Sequence, residues 1–203
     1  RTESPGTIVI SINGNVAARK KYQAGEREAI VIDSLEKFLK EGTSKVKVSF
    51  EDTKNALPFS LSVSYNTWQP STDEQCKVKL ETTISANKAK VGQTVRITTV
   101  LTNKTNNGLP MTIAVLGLPA GVSAQPWQLK ELQEKKVVDF YEVTPFTVIF
   151  YFRQMKPEEV RTINLDCKAE VPGYFTAPSS RAYLYYTNEY KAWTSINPLK
   201  IEM

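Results

Sequence analysis

Histidine is absent from all 203 residues. Imidazole is the usual general base near neutral pH and a frequent ligand of zinc and copper, so His-dependent triads and ordinary imidazole metal centres are excluded within this chain. Cysteine is nearly absent too. Cys76 and Cys167 are the only two, far apart in sequence and without a C-x-x-C spacing, so metal binding by the pair is not expected. They are either a disulfide, in an oxidising compartment, or two buried thiols, and spacing alone leaves both readings open. The chain has no Gly-x-Ser-x-Gly elbow, no phosphate-cradling Gly-rich loop and no Gly-x-Gly-x-x-Gly. Catalytic and cofactor sites are therefore expected to be none. No apolar run approaches the about 18 residues a membrane-spanning helix needs, so no direct membrane insertion is expected.

Charge of one sign is also scarce. The net charge of +5 comes from dispersed Lys and Arg, with short clusters only at Arg19-Lys20-Lys21 and Lys135-Lys136. A nucleic-acid surface needs a denser basic stripe interleaved with aromatics, so no nucleic-acid partner is expected. The chain opens on Arg1-Thr2-Glu3-Ser4-Pro5-Gly6, with neither a starting Met nor an apolar leader, and reads as part of a longer or processed protein.

What is present is a folded composition, with 41% hydrophobic and 23% charged residues, patterned mostly at period two. Thr7–Ile12 is strand-like and is followed by the turn Asn13-Gly14-Asn15; Ala29–Ile32, Lys45–Phe50 and Leu57–Tyr65 also read as strands, and Ser34–Gly42 as one or two helical turns. Residues 66–75 are polar, contain Pro70 and carry no apolar period, so they read as a linker. Alternation restarts at Cys76–Thr82 and continues through Thr94–Leu101, Met111–Leu116, Val137–Val143, Phe146–Arg153, Val160–Val171 and Ser180–Tyr186. One segment differs. Gln128–Lys136 is rich in helix formers, with Leu129 and Leu132 on one face and Glu131–Lys135 as an i, i+4 pair.

The expected fold is all-β: two β-sandwich domains, residues 1–72 and 76–203, the second with one short α-helix packed on the sandwich. Glu158 and Glu159 are adjacent, and on a strand such neighbours face opposite sides, which makes them a poor acid–base pair. Tyr183-Leu184-Tyr185-Tyr186 and Tyr190-Lys191-Ala192-Trp193 concentrate rings near the C-terminus, as strand packing or as a contact surface. Asn103-Lys104-Thr105 has the form of a glycosylation sequon but reads more simply as an unmodified polar turn.

The order of segments in the second region resembles a known family. Val91-Gly92-Gln93-Thr94-Val95, Pro110-Met111-Thr112-Ile113, Gly117-Leu118-Pro119-Ala120-Gly121, Leu129-Lys130-Glu131-Leu132, Val148-Ile149-Phe150-Tyr151-Phe152 and Ala182-Tyr183-Leu184-Tyr185-Tyr186-Thr187-Asn188-Glu189 follow one another as in the C-terminal macroglobulin, or receptor-binding, domain of alpha-2-macroglobulins and the related complement and thioester proteins. The first region, with Gly6–Ile10 and Leu57–Leu61, resembles the half of the CUB domain that follows the thioester domain.

This resemblance implies a non-catalytic piece of a protease inhibitor that entraps its target or binds it through a thioester. The implied partners are the remainder of the parent, including a thioester-type domain, and through it proteases. The implied location is extracellular, cell-surface or periplasmic, with a parent that can carry a lipid anchor. The thioester motif Cys-Gly-Glu-Gln is absent, and Glu74-Gln75-Cys76 has the wrong order to serve. Vertebrate members offer two helical lysines one turn apart to a receptor; Lys130 matches one, while Pro126 stands at the other. Lys130, Lys135 and Lys136 are the helix surface implied for contact. Bacterial members shield the thioester with residues of the last strand, where Tyr185 and Tyr186 fall here. The alternative of another class is a surface adhesin or carbohydrate-binding pair of sandwiches, which shares the strand pattern and aromatic content.

Overall fold

The first alternating stretch forms the central strand of an antiparallel sheet in the order β2-β1-β3, with β1 at Gly6–Ile12, β2 at Asn15–Tyr22 and β3 at Val46–Glu51. Asn13 and Gly14 both have positive φ (52° and 87°), the backbone that lets a two-residue turn follow the twist of a hairpin. Ile8, Ile10 and Ile12 face a small core with Tyr22, closed by partly buried Ile30, Ile32, Leu35 and Phe38. On the other face the Arg19–Glu51 ion pair links the two strands that flank β1. The computed structural model describes residues 2–52 and 57–203, and Arg1, where the expected first domain begins, lies outside them. Contact density divides the chain into two units, Arg1–Ser64 and Tyr65–Met203.

Three sequence expectations for the first unit are changed. Ala29–Ile32 is not a strand, although Ile30 and Ile32 do pack on the sheet, so their apolar pattern serves cover without ladder hydrogen bonds. The helical stretch shortens to one 3₁₀ turn, Glu36–Phe38. Residues 57–65 belong to no strand, and Phe59, Leu61 and Val63 are exposed, because no described strand of this unit pairs with them.

The second unit is a sandwich. Its four-stranded sheet runs β4-β6-β11-β8, with β4 at Val78–Ile84, β6 at Thr94–Asn103, β8 at Val122–Ala124 and β11 at Val160–Ala169. Its five-stranded sheet runs β14-β13-β7-β10-β9, with β7 at Thr112–Gly117, β9 at Phe140–Thr144, β10 at Thr147–Phe152, β13 at Ser180–Leu184 and β14 at Thr187–Thr194. A third, small sheet of β12 (Gly173–Phe175), β15 (Leu199–Glu202) and β5 (Lys88–Lys90) contributes Leu199 and Ile201 to the same core. Alternation decides what is inside: Val95, Ile97 and Leu101 from β6, Ile163, Leu165 and Cys167 from β11, and Val148, Phe150 and Phe152 from β10 form one dry cluster.

The helix α1, Pro126–Glu134, closes this core with Leu129 and partly buried Leu132, the two leucines expected on one face. Pro126 sits in its first turn, where no backbone N–H is needed. At its other end Lys136 takes φ 57°, so the N–H groups of Lys136 and Val137 reach back to the carbonyls of Gln133 and Leu132. Residues of the polar stretch 66–75 are hydrogen-bonded to this unit. Thr72 Oγ1 accepts from the Trp193 N–H (2.9 Å), and the Asp73 N–H donates to the Lys191 carbonyl (2.9 Å), which occupies the open edge of β14.

Two positions carry much of the precision. The buried Asn103 side chain donates to the carbonyls of Asn107 (2.7 Å) and Lys156 (2.8 Å) and accepts from Thr105 N–H and Oγ1. All its amide groups are used, so the sequon is the polar turn. Gly117 lies so close to Pro178 that a Cβ there would sit 1.8 Å from the Pro178 carbonyl oxygen. Asn103→Ala, which removes the four hydrogen bonds of a buried side chain, is expected to destabilise the second unit by about 1–3 kcal/mol, and Gly117→Ala by about 1–3 kcal/mol. Both are read by urea unfolding on tryptophan fluorescence, which reports on this unit alone because Trp68, Trp127 and Trp193 all lie in it.

Candidate functional site

Strands β13 and β14 form a hairpin whose two-residue tip is Tyr185-Tyr186. The sequence placed both tyrosines within a strand, because Tyr has high strand propensity and the pair lacks the Gly, Asn or Asp that usually marks a turn. Neither has positive φ, and the register of the hairpin shifts between Ala182 and Leu184, which accommodates a turn of this chemistry. The rings are 52% and 76% exposed and meet edge-on, centroids 5.1 Å apart. The tip thus presents two phenols to solvent from a tight, hydrogen-bonded base, where the Tyr185 N–H donates to the Met111 carbonyl.

Below the tip, more aromatics lie on the outward side of the five-stranded sheet. Lys191 Nζ stands 5.4 Å from the Tyr183 ring centroid, and the Arg181 guanidinium 5.6 Å from that of Trp193. Phe140 and Tyr151 approach to 5.7 Å, and Tyr151 donates its hydroxyl to Glu142 (3.0 Å). Burial first, then the hydrogen bond and charge of Glu142, with smaller contributions from Tyr183 and Tyr185, hold the Tyr151 phenol above its ordinary value.

The lysines in and just after α1 are exposed, and two of them are engaged. Lys130 pairs with Glu134 (3.6 Å) and Lys135 with Glu131, both one turn apart. Such exposed pairs contribute little to stability. The Lys136 carbonyl accepts from Arg161 (3.3 Å).

The remaining candidates are structural. Glu158 and Glu159 lie in a turn rather than on a strand, and Glu159 pairs with Arg161 (2.8 Å) and caps the Lys156 N–H (2.7 Å). Among the described residues no group of three His, Cys, Asp or Glu could hold a metal. A surface depression of about 380 Å³ is lined by Trp68, Leu118, Phe146 and Pro178 among others, without a titratable side chain. Outside the core, Arg96 holds Asp166 in a two-point pair (2.7 and 2.8 Å), and that hydrogen bond keeps the Asp166 carboxyl below its ordinary value.

Cys76 and Cys167 are two free, buried thiols. Burial, with a contribution from the Asp166 charge, pushes the Cys167 thiol up to about 12. Since the folded value is raised above the unfolded one of about 8.5, this neutral thiol favours folding fully below that pH, and the contribution fades as pH rises toward 12. A disulfide-exchange reagent at pH 8 is expected to find no reactive thiol in the native chain and two in urea. No thiol in urea without reductant would mean a disulfide instead.

Residues 108–197, most of the second unit, match the model of the A-macroglobulin receptor binding domain. No curated protein matches the chain. Among solved structures the chain is similar to Salmonella alpha-2-macroglobulin reacted with methylamine, at TM-score 0.57 and 11% identity, over 100% of this chain and 14% of that one. A tyrosine-to-glycine mutant of the Salmonella protein gives TM-score 0.59 and 13% identity, over 100% and 14%. Native Escherichia coli alpha-2-macroglobulin from domain MG7 to its C-terminus gives TM-score 0.57 and 11% identity, over 98% of this chain and 33% of that one. At these identities the likeness is one of fold, and the chain spans a third or less of the length of these relatives. Within the second unit, residues 108–197 are thus similar to the macroglobulin receptor-binding domain, on a fold shared with bacterial alpha-2-macroglobulins.

Proposed function

We propose that the chain is the non-catalytic C-terminal part of an alpha-2-macroglobulin-like protease trap, and that its Tyr185-Tyr186 tip shields a thioester held by another domain of the parent. The exposed tyrosine tip carries this reading. A thioester is an acyl group that water attacks slowly and an amine attacks usefully, so rings that keep bulk water away extend its life without chemistry of their own. A two-residue tip on a hydrogen-bonded hairpin is a rigid way to hold two such rings. The protease enters as the target of the parent.

The rest of the reading fits this role. The first unit is the CUB-like half that follows a thioester domain. The chain works outside the cytoplasm, in the periplasm or the extracellular space, where the parent can be held by a lipid anchor. Lys130 on α1, with Lys135 and Lys136 just after it, forms an exposed charged surface for contact rather than catalysis. No helix of the described residues is long and apolar enough to cross a membrane.

The test uses the full-length parent. Changing Tyr185→Ala and Tyr186→Ala together is expected to speed spontaneous thioester hydrolysis, read as thiol release, by roughly tenfold, which corresponds to about 1.4 kcal/mol of barrier. Phe at both positions should keep the native rate, because shielding needs the rings and not the hydroxyls. An unchanged rate in the double Ala variant would sink the shielding role.

A further inference from the structure

The two outward faces of the second unit differ in kind. Antiparallel sheets that cover a core on one side normally turn polar residues to water on the other. The four-stranded sheet obeys this: its outward positions include Lys79, Glu81, Arg96, Thr98, Asn164 and Asp166, with Thr98 bonded to Asn164 and Arg96 paired to Asp166. The five-stranded sheet does not. Val148, Phe150 and Phe152 point into the core, so Ile149 and Tyr151 point out.

Cross-strand register carries that face across all five strands. Trp193, Arg181, Val115, Ile149 and Glu142 stand in one row, and Tyr183, Ile113, Tyr151 and Phe140 in the next. Ile113 and Val115 are only 4% and 2% exposed, yet they are not part of the interior cluster. They form a dry floor beneath the rings of their neighbours on this outer face. Phe140, at the rim, is 49% exposed. A contiguous aromatic surface of this kind marks a place where another molecule sits.

The charge on the face indicates what that molecule is. Arg181 and Lys191 lie over Trp193 and Tyr183, and among the described residues neither has a carboxylate partner; Lys191 donates to the Asn188 carbonyl. Glu142 is held by the Tyr151 hydroxyl. The cations on the β13–β14 side are therefore free to meet an acid from outside, and a guanidinium lying over indole can still offer its N–H fork to a carboxylate. A saccharide platform would instead need free acceptors as well as donors beside the rings, and the one acid of these rows, Glu142, is already bonded.

We propose that the outward face of the five-stranded sheet, from Trp193 and Arg181 to Phe140, is a docking surface for a further domain of the longer polypeptide, one that presents an apolar patch with a carboxylate set to meet Arg181. This rests on the reading of the chain as part of a longer trap, and relatives of which it spans 14% to 33% leave ample chain to supply such a domain. Tyr183 of this face lies on β13 two residues before Tyr185, so the face runs up to the tyrosine tip.

The test is site-directed thiol labelling, with modification at each site quantified by mass spectrometry in the 203-residue chain and in the full-length parent. Glu142→Cys places a thiol on the aromatic face and Lys79→Cys one on the polar face; the native thiols are buried. Glu142→Cys is expected to react at least about tenfold more slowly in the parent than in the chain, with Lys79→Cys reacting alike in both, a protection of about 1.4 kcal/mol or more. Adding Arg181→Glu to the parent should restore the fast rate, and Arg181→Lys should not. Equal rates at Glu142→Cys in parent and chain, or equal slowing at both sites, would overturn the proposal. Slowing in the isolated chain by soluble oligosaccharide would overturn it for a glycan, and slowing on raising chain concentration for a second copy. If Tyr185→Ala with Tyr186→Ala leaves hydrolysis unchanged while the labelling contrast holds, the shield fails and the docking face stands; the opposite pattern removes the docking face alone.

Discussion

Strand β7 is covered on both sides, and the second unit is arranged around that double burial. It lies between β10 and β13, with Ala114 and Leu116 turned into the core and Ile113 and Val115 turned outward beneath the aromatic rows. Both neighbours must keep register with it, because a slip of one residue would exchange the interior and outward sets of every side chain on the moving strand. Its last residue, Gly117, accepts the backbone of Pro178 at a distance no side chain tolerates, and its N–H is bonded by the buried Ser180 hydroxyl (3.0 Å). That contact fixes where β13 starts. The Tyr185 N–H, bonded to the carbonyl of Met111 just before β7, then fixes where the β13–β14 hairpin turns. The tyrosine tip is thus positioned by β7, although neither tyrosine belongs to the core.

Much of this was legible from period two. Cys76–Thr82 and Thr94–Leu101 alternate because one side of β4 and β6 is dry and the other solvated, and the structure pairs them in that sense. Leu129 and Leu132 at i, i+3 gave the helix its buried face, and the whole element moved only two residues toward the N-terminus, to where Pro126 can open it. The interior of a sandwich is readable because water enforces the pattern on every strand.

What was not legible depends on partners that are distant in sequence. Residues 29–32 and 57–65 carry strand-like patterns, but a strand needs a neighbour with free N–H and C=O groups, and composition does not report one. Tyr185-Tyr186 is a turn because β14 pairs back on β13, which local propensity opposes. Asn103 reads from the sequence as part of a polar turn, but the sequence does not show that the fold buries it as the knot of that loop. Its four hydrogen bonds reach residues up to 53 positions away, and no local signal carries such a separation.

The difference between the two outer faces has a trace in the sequence all the same. Segments of the four-stranded sheet alternate, whereas Ile113-Ala114-Val115-Leu116 and Val148-Ile149-Phe150-Tyr151-Phe152 are unbroken apolar runs. In an antiparallel sheet an unbroken run means that both faces are withdrawn from water, one by the core and the other by something else. Within the second unit Ile113 and Val115 are buried among the register neighbours Tyr183, Tyr151, Arg181 and Ile149 and the next neighbour Trp193. Rings used as a floor covering leave their own upper surfaces exposed, so the cover is displaced outward by one layer and not completed. An isolated domain under selection for solubility alone would replace those rings with Thr, Lys or Glu, as its opposite sheet has done. Keeping them stabilises a free domain little and favours an assembled one, which is why the sheet that carries the tyrosine tip is also the sheet whose outward face stays aromatic.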